Sequence, residues 1–166
     1  MHSIAEKFGS AIQSKYPLIY ADTSEEDRVM DALNALIRDR MPEAKILVWT
    51  SISGFNNAGG EDTRDPVSAV KSIISKPHAG FYVMKDLSAF MGRPDLVRAL
   101  RDAYYELSKS SKTFIVIVSS TVVIPPELEK EIAVIQVPLP TVQEYMAETR
   151  KIEALYQGAR ISDELL

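Results

Sequence analysis

The sequence predicts a three-layer α/β/α domain built on a five-stranded parallel sheet. Three observations carry that prediction. Short apolar runs alternate with longer stretches of helical periodicity along the chain, the pattern of strands joined by crossover helices. One run, Phe114-Ile115-Val116-Ile117-Val118, is continuous and rich in branched side chains, which suits a central strand covered on both faces. Pro66 and Pro94 each precede a periodic apolar pattern, and a helix tolerates proline at its first position because that N–H has no partner anyway.

The elements follow in order. Ile4, Phe8 and Ile12, spaced four apart, mark one face of a short N-terminal helix within residues 1–15, and Pro17 stops it. Leu18–Ala21 is a brief apolar run and reads as the first strand. Thr23-Ser24-Glu25-Glu26 reads as a helix start, with a hydroxyl at the cap and a carboxylate three residues on. Val29, Met30, Leu33, Leu36 and Ile37 give that helix its apolar face, and Pro42 lies beyond its end. Lys45–Trp49 is the second strand, followed by a polar, glycine-bearing segment from Thr50 to Asp65. The helix from Pro66 places Val67, Val70 and Ile74 on one side. Gly80–Met84 is the third strand, and the helix from Pro94 carries Leu96, Val97, Leu100, Ala103, Tyr104 and Leu107. Thr113–Ser119 is the fourth strand, and the branched residues Ile132, Val134, Ile135 and Val137 mark a fifth, with its bounds set at Val134–Val137. Pro138 and Pro140 end the α/β body, residues 16–140. Thr141-Val142-Gln143-Glu144 is a second capping box, opening a helical segment over 141–166 that runs towards Tyr156, with a last turn from Ser162. Phe114, Val116, Val118, Val83 and Ile19 are the expected core.

Composition excludes several classes. The chain has 166 residues, of which 46% are hydrophobic and 25% charged, the profile of one ordinary globular domain rather than a disordered tail. With no cysteine there is no disulfide framework, thiolate zinc site or cysteine nucleophile. No apolar run approaches the roughly 20 residues of a membrane span. The opening residues Met1 to Lys7 lack the basic and apolar regions of a secretion signal, so a cytoplasmic location is expected. A net charge of −4 argues against a general nucleic-acid binder. Arg93, Arg98, Arg101, Lys109 and Lys112 are read as the solvated face of one helix and its following loop. His2 and His78 are too few for a histidine metal site and are read as surface residues. No metal site is expected.

In an open parallel sheet, ligands bind beyond the carboxyl ends of the strands. After the first strand, Asp22, Thr23, Ser24 and Glu25 stand where a phosphate loop would be. Such a loop needs glycines, so that backbone N–H groups converge, and a lysine for the outer phosphates. This segment has neither, and its carboxylates complement a helix N-terminus while repelling phosphate. After the third strand, Lys85 takes the first place of the acid pair that a nucleotide hydrolase needs, ahead of Asp86. A plain surface contact between Lys85 and Asp86 is the simpler reading. After the fourth strand, Ser119, Ser120 and Thr121 present hydroxyls that also suit an ordinary turn.

Several stretches together resemble one family. They are Tyr16-Pro17-Leu18-Ile19-Tyr20, Glu25 to Val29, Lys45 to Thr50, Phe81 to Asp86, and above all Ile124-Pro125-Pro126-Glu127-Leu128-Glu129-Lys130-Glu131-Ile132 with Val137-Pro138-Leu139-Pro140. The chain is similar to the N-terminal region of AAA ATPases known in bacteria, cyanobacteria and chloroplast genomes as a hypothetical chloroplast open reading frame family. The resemblance covers about Ser14 to Leu166. It implies a P-loop NTPase (AAA-like) topology lacking a functional phosphate loop, with strand order 5-1-4-3-2 and the first strand central. It also implies that Lys85-Asp86 matches the family's acid-acid pair and that Glu131 falls near an arginine-finger position. An acid there cannot stabilise transferring phosphate. ATP and magnesium belong to the parent family; none is expected for this chain.

The reading that follows is a non-catalytic AAA-like module supporting assembly or partner recruitment, its partner a C-terminal AAA ATPase module or that module's oligomer. The alternatives are an ATP hydrolase whose activity lies in a C-terminal module, and a nucleic-acid-binding α/β domain. The length fits either a fragment or a stand-alone copy of the degenerate half. Gly54 and Phe55, within Ser51–Asn57, are the candidate partner loop, since AAA modules often carry an aromatic after the second strand. Gly59 and Gly60 would keep it mobile. The competing reading folds Phe55 back onto the sheet edge.

Overall fold

The branched run at Phe114–Val118 forms the middle of a strand, Thr113–Ser119, whose seven residues are all buried. In the computed structural model, which describes residues 3–55, 62–110 and 112–155, the elements run in this order: α1 (Ile4–Gln13), β1 (Leu18–Asp22), α2 (Glu26–Arg40), β2 (Lys45–Thr50), β3 (Gly54–Phe55), α3 (Pro66–Ser75), β4 (Gly80–Lys85), α4 (Pro94–Ser108), β5 (Thr113–Ser119), β6 (Ile132–Gln136) and α5 (Val142–Leu155). Short 3-10 turns at Leu87–Phe90 and Pro126–Leu128 precede α4 and β6.

The sheet order is β3-β2-β4-β5-β1-β6. Leaving β3 aside, this is the expected 5-1-4-3-2. The sheet has six strands rather than five and is mixed, because β3 pairs antiparallel with β2 through Trp49–Phe55 and Thr50–Gly54. The remaining pairs are parallel. β1 is interior, between β5 and β6, but the middle of the sheet is β4 and β5. β6 runs from Ile132, which pairs with Leu18, to Gln136, so it begins two residues before the expected bound at Val134; Val134 itself is 47% exposed on the edge strand.

Alternation along the strands sorts the core into two layers. On one face Ile19, Val83, Phe114 and Val116 meet Phe8 of α1 and Val29 and Leu33 of α2. On the other, Tyr20, Met84 and Ile117 meet Val70 and Ile73 of α3 and Leu96 and Leu100 of α4. Each such side chain taken fully out of water contributes about 1.5–3 kcal/mol. Gly80 fixes the start of β4: its φ is +131°, and a Cβ there would stand 2.0 Å from the Lys45 carbonyl oxygen. Only glycine fits that approach.

Helix starts differ in detail. Asp65 caps α3, its carboxylate accepting the Ser68 N–H at 2.9 Å ahead of Pro66. Ser3 and Glu6 form a capping box on α1, and Thr141 with Glu144 form the expected one on α5. The box expected at Thr23 and Glu26 does not form. Glu25 is the cap residue of α2, without a side-chain cap bond. The Thr23 hydroxyl instead accepts the Glu25 N–H at 3.0 Å, and Glu26 turns to a lysine. His78 is half-buried rather than a surface residue, its ring 4.3 Å from that of Tyr82. The expectations for His2, Tyr156 and a turn from Ser162 lie outside the described residues.

Candidate functional site

The carboxyl ends of β1, β4 and β5 converge because the three strands pair in parallel register, Asp22 beside Ser119 and Lys85 beside Val118. Beyond β1 the chain is tied down at once: the Thr23 N–H donates to the Ser119 carbonyl at 3.0 Å. Glu25 then turns to Arg28, whose guanidinium lies 2.6 Å away. Arg28 also donates to the Pro138 carbonyl at 2.8 Å and stands 3.6 Å from Glu144. One side chain thus links the start of α2, the segment after β6 and the start of α5. The Glu144 carboxyl is held below the usual range, first by the Thr141 N–H, then by its hydroxyl.

At the end of β4, Lys85 points to α2 rather than to Asp86, correcting the simple Lys85–Asp86 contact. Its ammonium lies 2.5 Å from the Glu26 carboxylate, with both side chains partly shielded at 26% and 36% exposure. Asp86 turns the chain with φ 54°, a left-handed conformation that Asp adopts at low cost, and its N–H donates to the Val118 carbonyl at 2.9 Å. Its side chain is exposed. Ser119 is buried, and its hydroxyl is 2.7 Å from that of Ser88; Ser120 and Ser24 are exposed. Among the described residues, neither Asp22 nor Asp86 has a side-chain hydrogen bond or ion pair. The cluster is therefore a set of carboxylates at the head of α2, with its two nearest cations already engaged. That arrangement attracts positive charge and opposes phosphate.

Glu131 is elsewhere. It precedes β6, at the end of the sheet opposite Asp22, and is buried, with Arg101 of α4 3.7 Å away as its ion-pair partner among the described residues. The basic residues of α4 and its preceding turn are mostly neutralised: Arg93 pairs with Asp65 and Asp95, Arg98 with Asp102, and Lys109 with Glu106.

The structure also decides between the two readings of Phe55. The side chain is 5% exposed and meets Tyr82 edge to face with ring centroids 5.4 Å apart. Its N–H donates to the Thr63 hydroxyl at 2.9 Å, and the Trp49 indole N–H donates to the Thr63 carbonyl at 2.6 Å. Gly54 has φ +63° and leaves no room for a Cβ beside Thr63. Phe55 is a core residue at the sheet edge, where pairing with β2 turns it inward. Asn56, Asn57, Gly59 and Gly60 lie outside the described residues.

Sequence reasoning missed the cavity beside this cluster. A groove of about 830 Å³ runs between the first turn of α1, the first turns of α2 and the start of α5. Ile4, Ala32, Pro140 and Tyr145 supply apolar walls, and Asp27 and Asp31 stand on its rim. The capping boxes at Ser3 and Thr141 set where α1 and α5 begin, but nothing local announces that Arg28 ties the start of α2 to Pro138 and to Glu144 of α5.

Comparison with known proteins agrees with this architecture. The family model for the SpoVK-like AAA ATPase, N-terminal domain, matches residues 4–137. The uncharacterized AAA domain-containing protein ycf46 of Guillardia theta is 30% identical over 156 residues, covering 91% of this chain and 30% of that protein. The ycf46 protein of Trieres chinensis is 31% identical over 150 residues, covering 87% of this chain and 30% of that protein. The chain thus spans about 30% of the length of these curated relatives. Among solved structures, domain III of the Thermotoga maritima replication initiation protein DnaA superposes with a TM-score of 0.57 at 15% identity, over 98% of this chain and 74% of that one. C. elegans PCH-2 gives 0.55 at 11% identity, over 97% and 48%. These likenesses show the fold, that of AAA+ P-loop ATPase domains. By its match over residues 4–137, the chain belongs to the family of SpoVK-like AAA ATPase N-terminal domains.

Proposed function

We propose that this chain is a non-catalytic AAA-like module that supports the assembly of an AAA ATPase or recruits partners to it. The observation that carries the reading is the ion pair between Lys85 and Glu26, which joins the end of β4 to the first turn of α2. A nucleoside triphosphate at this place would meet Glu25 and Glu26 where it needs converging N–H groups and a free lysine. A magnesium ion would meet the Lys85 ammonium where it needs an acid. The residues present do not fit either group, and no step of hydrolysis follows from them. The partner is an AAA ATPase module or its oligomer, in keeping with relatives roughly three times this length that are named AAA domain-containing proteins.

Phosphate release tests the reading. With ATP and magnesium, the purified chain should stay at background, and Asp86→Asn should change nothing. Turnover abolished by that substitution would overturn the proposal. Added to the remaining part of a longer ycf46 relative, the chain should alter that protein's oligomer size in gel filtration.

A further inference from the structure

The groove between α1, α2 and α5 has an uneven chemistry. Its walls are apolar and partly open: Tyr145 of α5 is 60% exposed, while Ile4 and Ala32 lie deeper at 9% each. Its rim is acidic. Glu25 and Glu144 share Arg28, and Glu26 has Lys85. Asp27 and Asp31 have no ion pair among the described residues, yet they are exposed one turn apart on α2, both lining the groove. Like charges at that spacing repel, so the rim keeps a cost that a bound cation relieves. Asp31 lies beyond the first turn of α2, where the helix dipole no longer offsets its charge.

We propose that this groove binds a basic peptide segment of a partner protein, with lysine or arginine side chains at Asp27 and Asp31 and an apolar side chain against Ile4, Ala32 and Tyr145. The inference deepens the reading of the chain as a partner-recruiting module and rests on it. Charge complementarity selects the occupant. An acidic peptide or a nucleotide is repelled by the rim, and a small polycation leaves the apolar wall uncovered. A peptide of alternating basic and apolar residues satisfies both surfaces, and the volume, about 830 Å³, accommodates several side chains.

The test is fluorescence anisotropy with a fluorescein-labelled peptide of alternating lysine and leucine, beside one of alternating glutamate and leucine and one of alternating lysine and glycine. The lysine–leucine peptide should bind tightest and the glutamate peptide not at all. The double substitution Asp27→Asn with Asp31→Asn removes two carboxylates that have no ion pair among the described residues, and should weaken binding at least tenfold. Tyr145→Ala should weaken the leucine peptide while leaving the glycine peptide unchanged. Glu127→Gln with Glu129→Gln makes the same change in net charge at the far end of the sheet and should alter binding less than twofold. Equal loss in both double variants, or equal binding of the glutamate peptide, would overturn the inference. ATP with magnesium separates the two claims. Displacement of the peptide by ATP would overturn the module reading as well, whereas absent peptide binding with absent ATP binding would sink this inference alone.

Discussion

The Lys85 ammonium and the Glu26 carboxylate, 2.5 Å apart, connect the end of β4 to the first turn of α2. Both side chains are partly shielded, so the pair exceeds a freely solvated surface contact yet stays far from a buried one. A double-mutant cycle of Lys85→Ala and Glu26→Ala in urea unfolding should give a coupling of about 0.5–1 kcal/mol. Zero coupling would mean that the two groups are not held together in solution.

Phe55→Ala should cost roughly 3–5 kcal/mol, the range for a buried aromatic replaced by a methyl group. For a chain of this size that corresponds to a fall in Tm on the order of 10 °C. A change within about 0.5 kcal/mol would return Phe55 to the surface, contrary to its packing against Tyr82.

Trp49→Phe should cost about 1–3 kcal/mol, because the buried Thr63 carbonyl loses its donor. Trp49 is the single tryptophan and is fully buried, so emission should move to longer wavelength in one step with global unfolding. Urea titration followed by fluorescence reads both.

Arg93 bridges Asp65 and Asp95, joining the starts of α3 and α4. The Arg93 guanidinium, then the Ser68 N–H, hold the Asp65 carboxyl below its usual range, and Arg93 does the same for Asp95. A carboxyl whose folded pKa is depressed adds stability above its unfolded value, near 3.9, and loses it as pH falls through the folded value. Asp65→Asn keeps an oxygen to cap α3 but loses the ion pair. It should therefore be less stable than the parent at pH 7, with the gap closing as pH drops below about 4. A gap that widens in acid would contradict the sign.

Much of this fold was legible in the sequence, for reasons visible at particular residues. Phe114, Val116, Val118, Val83 and Ile19 are all buried, because strands covered on both faces leave continuous apolar runs. Pro66 and Pro94 mark helix starts because proline is tolerated only there. Edges were harder. The fifth strand, expected at Val134–Val137, runs instead over Ile132–Gln136, and its place at the sheet edge leaves Val134 half in water. β3 has two residues, too few for any period, and exists because Trp49 and Phe55 pair across a turn. After β1 the sequence shows neither glycine nor lysine. What fills the place was not legible, since the bonds of Lys85 to Glu26 and of Arg28 to Glu144 and Pro138 join residues far apart in the chain.

Isothermal titration of the purified chain with ATP and magnesium tests the central claim most directly. With carboxylates at the head of α2 and Lys85 engaged by Glu26, no saturable heat is expected up to millimolar nucleotide. Saturable binding at micromolar concentration, weakened by substitutions at the carboxyl ends of β1 and β4, would contradict the account.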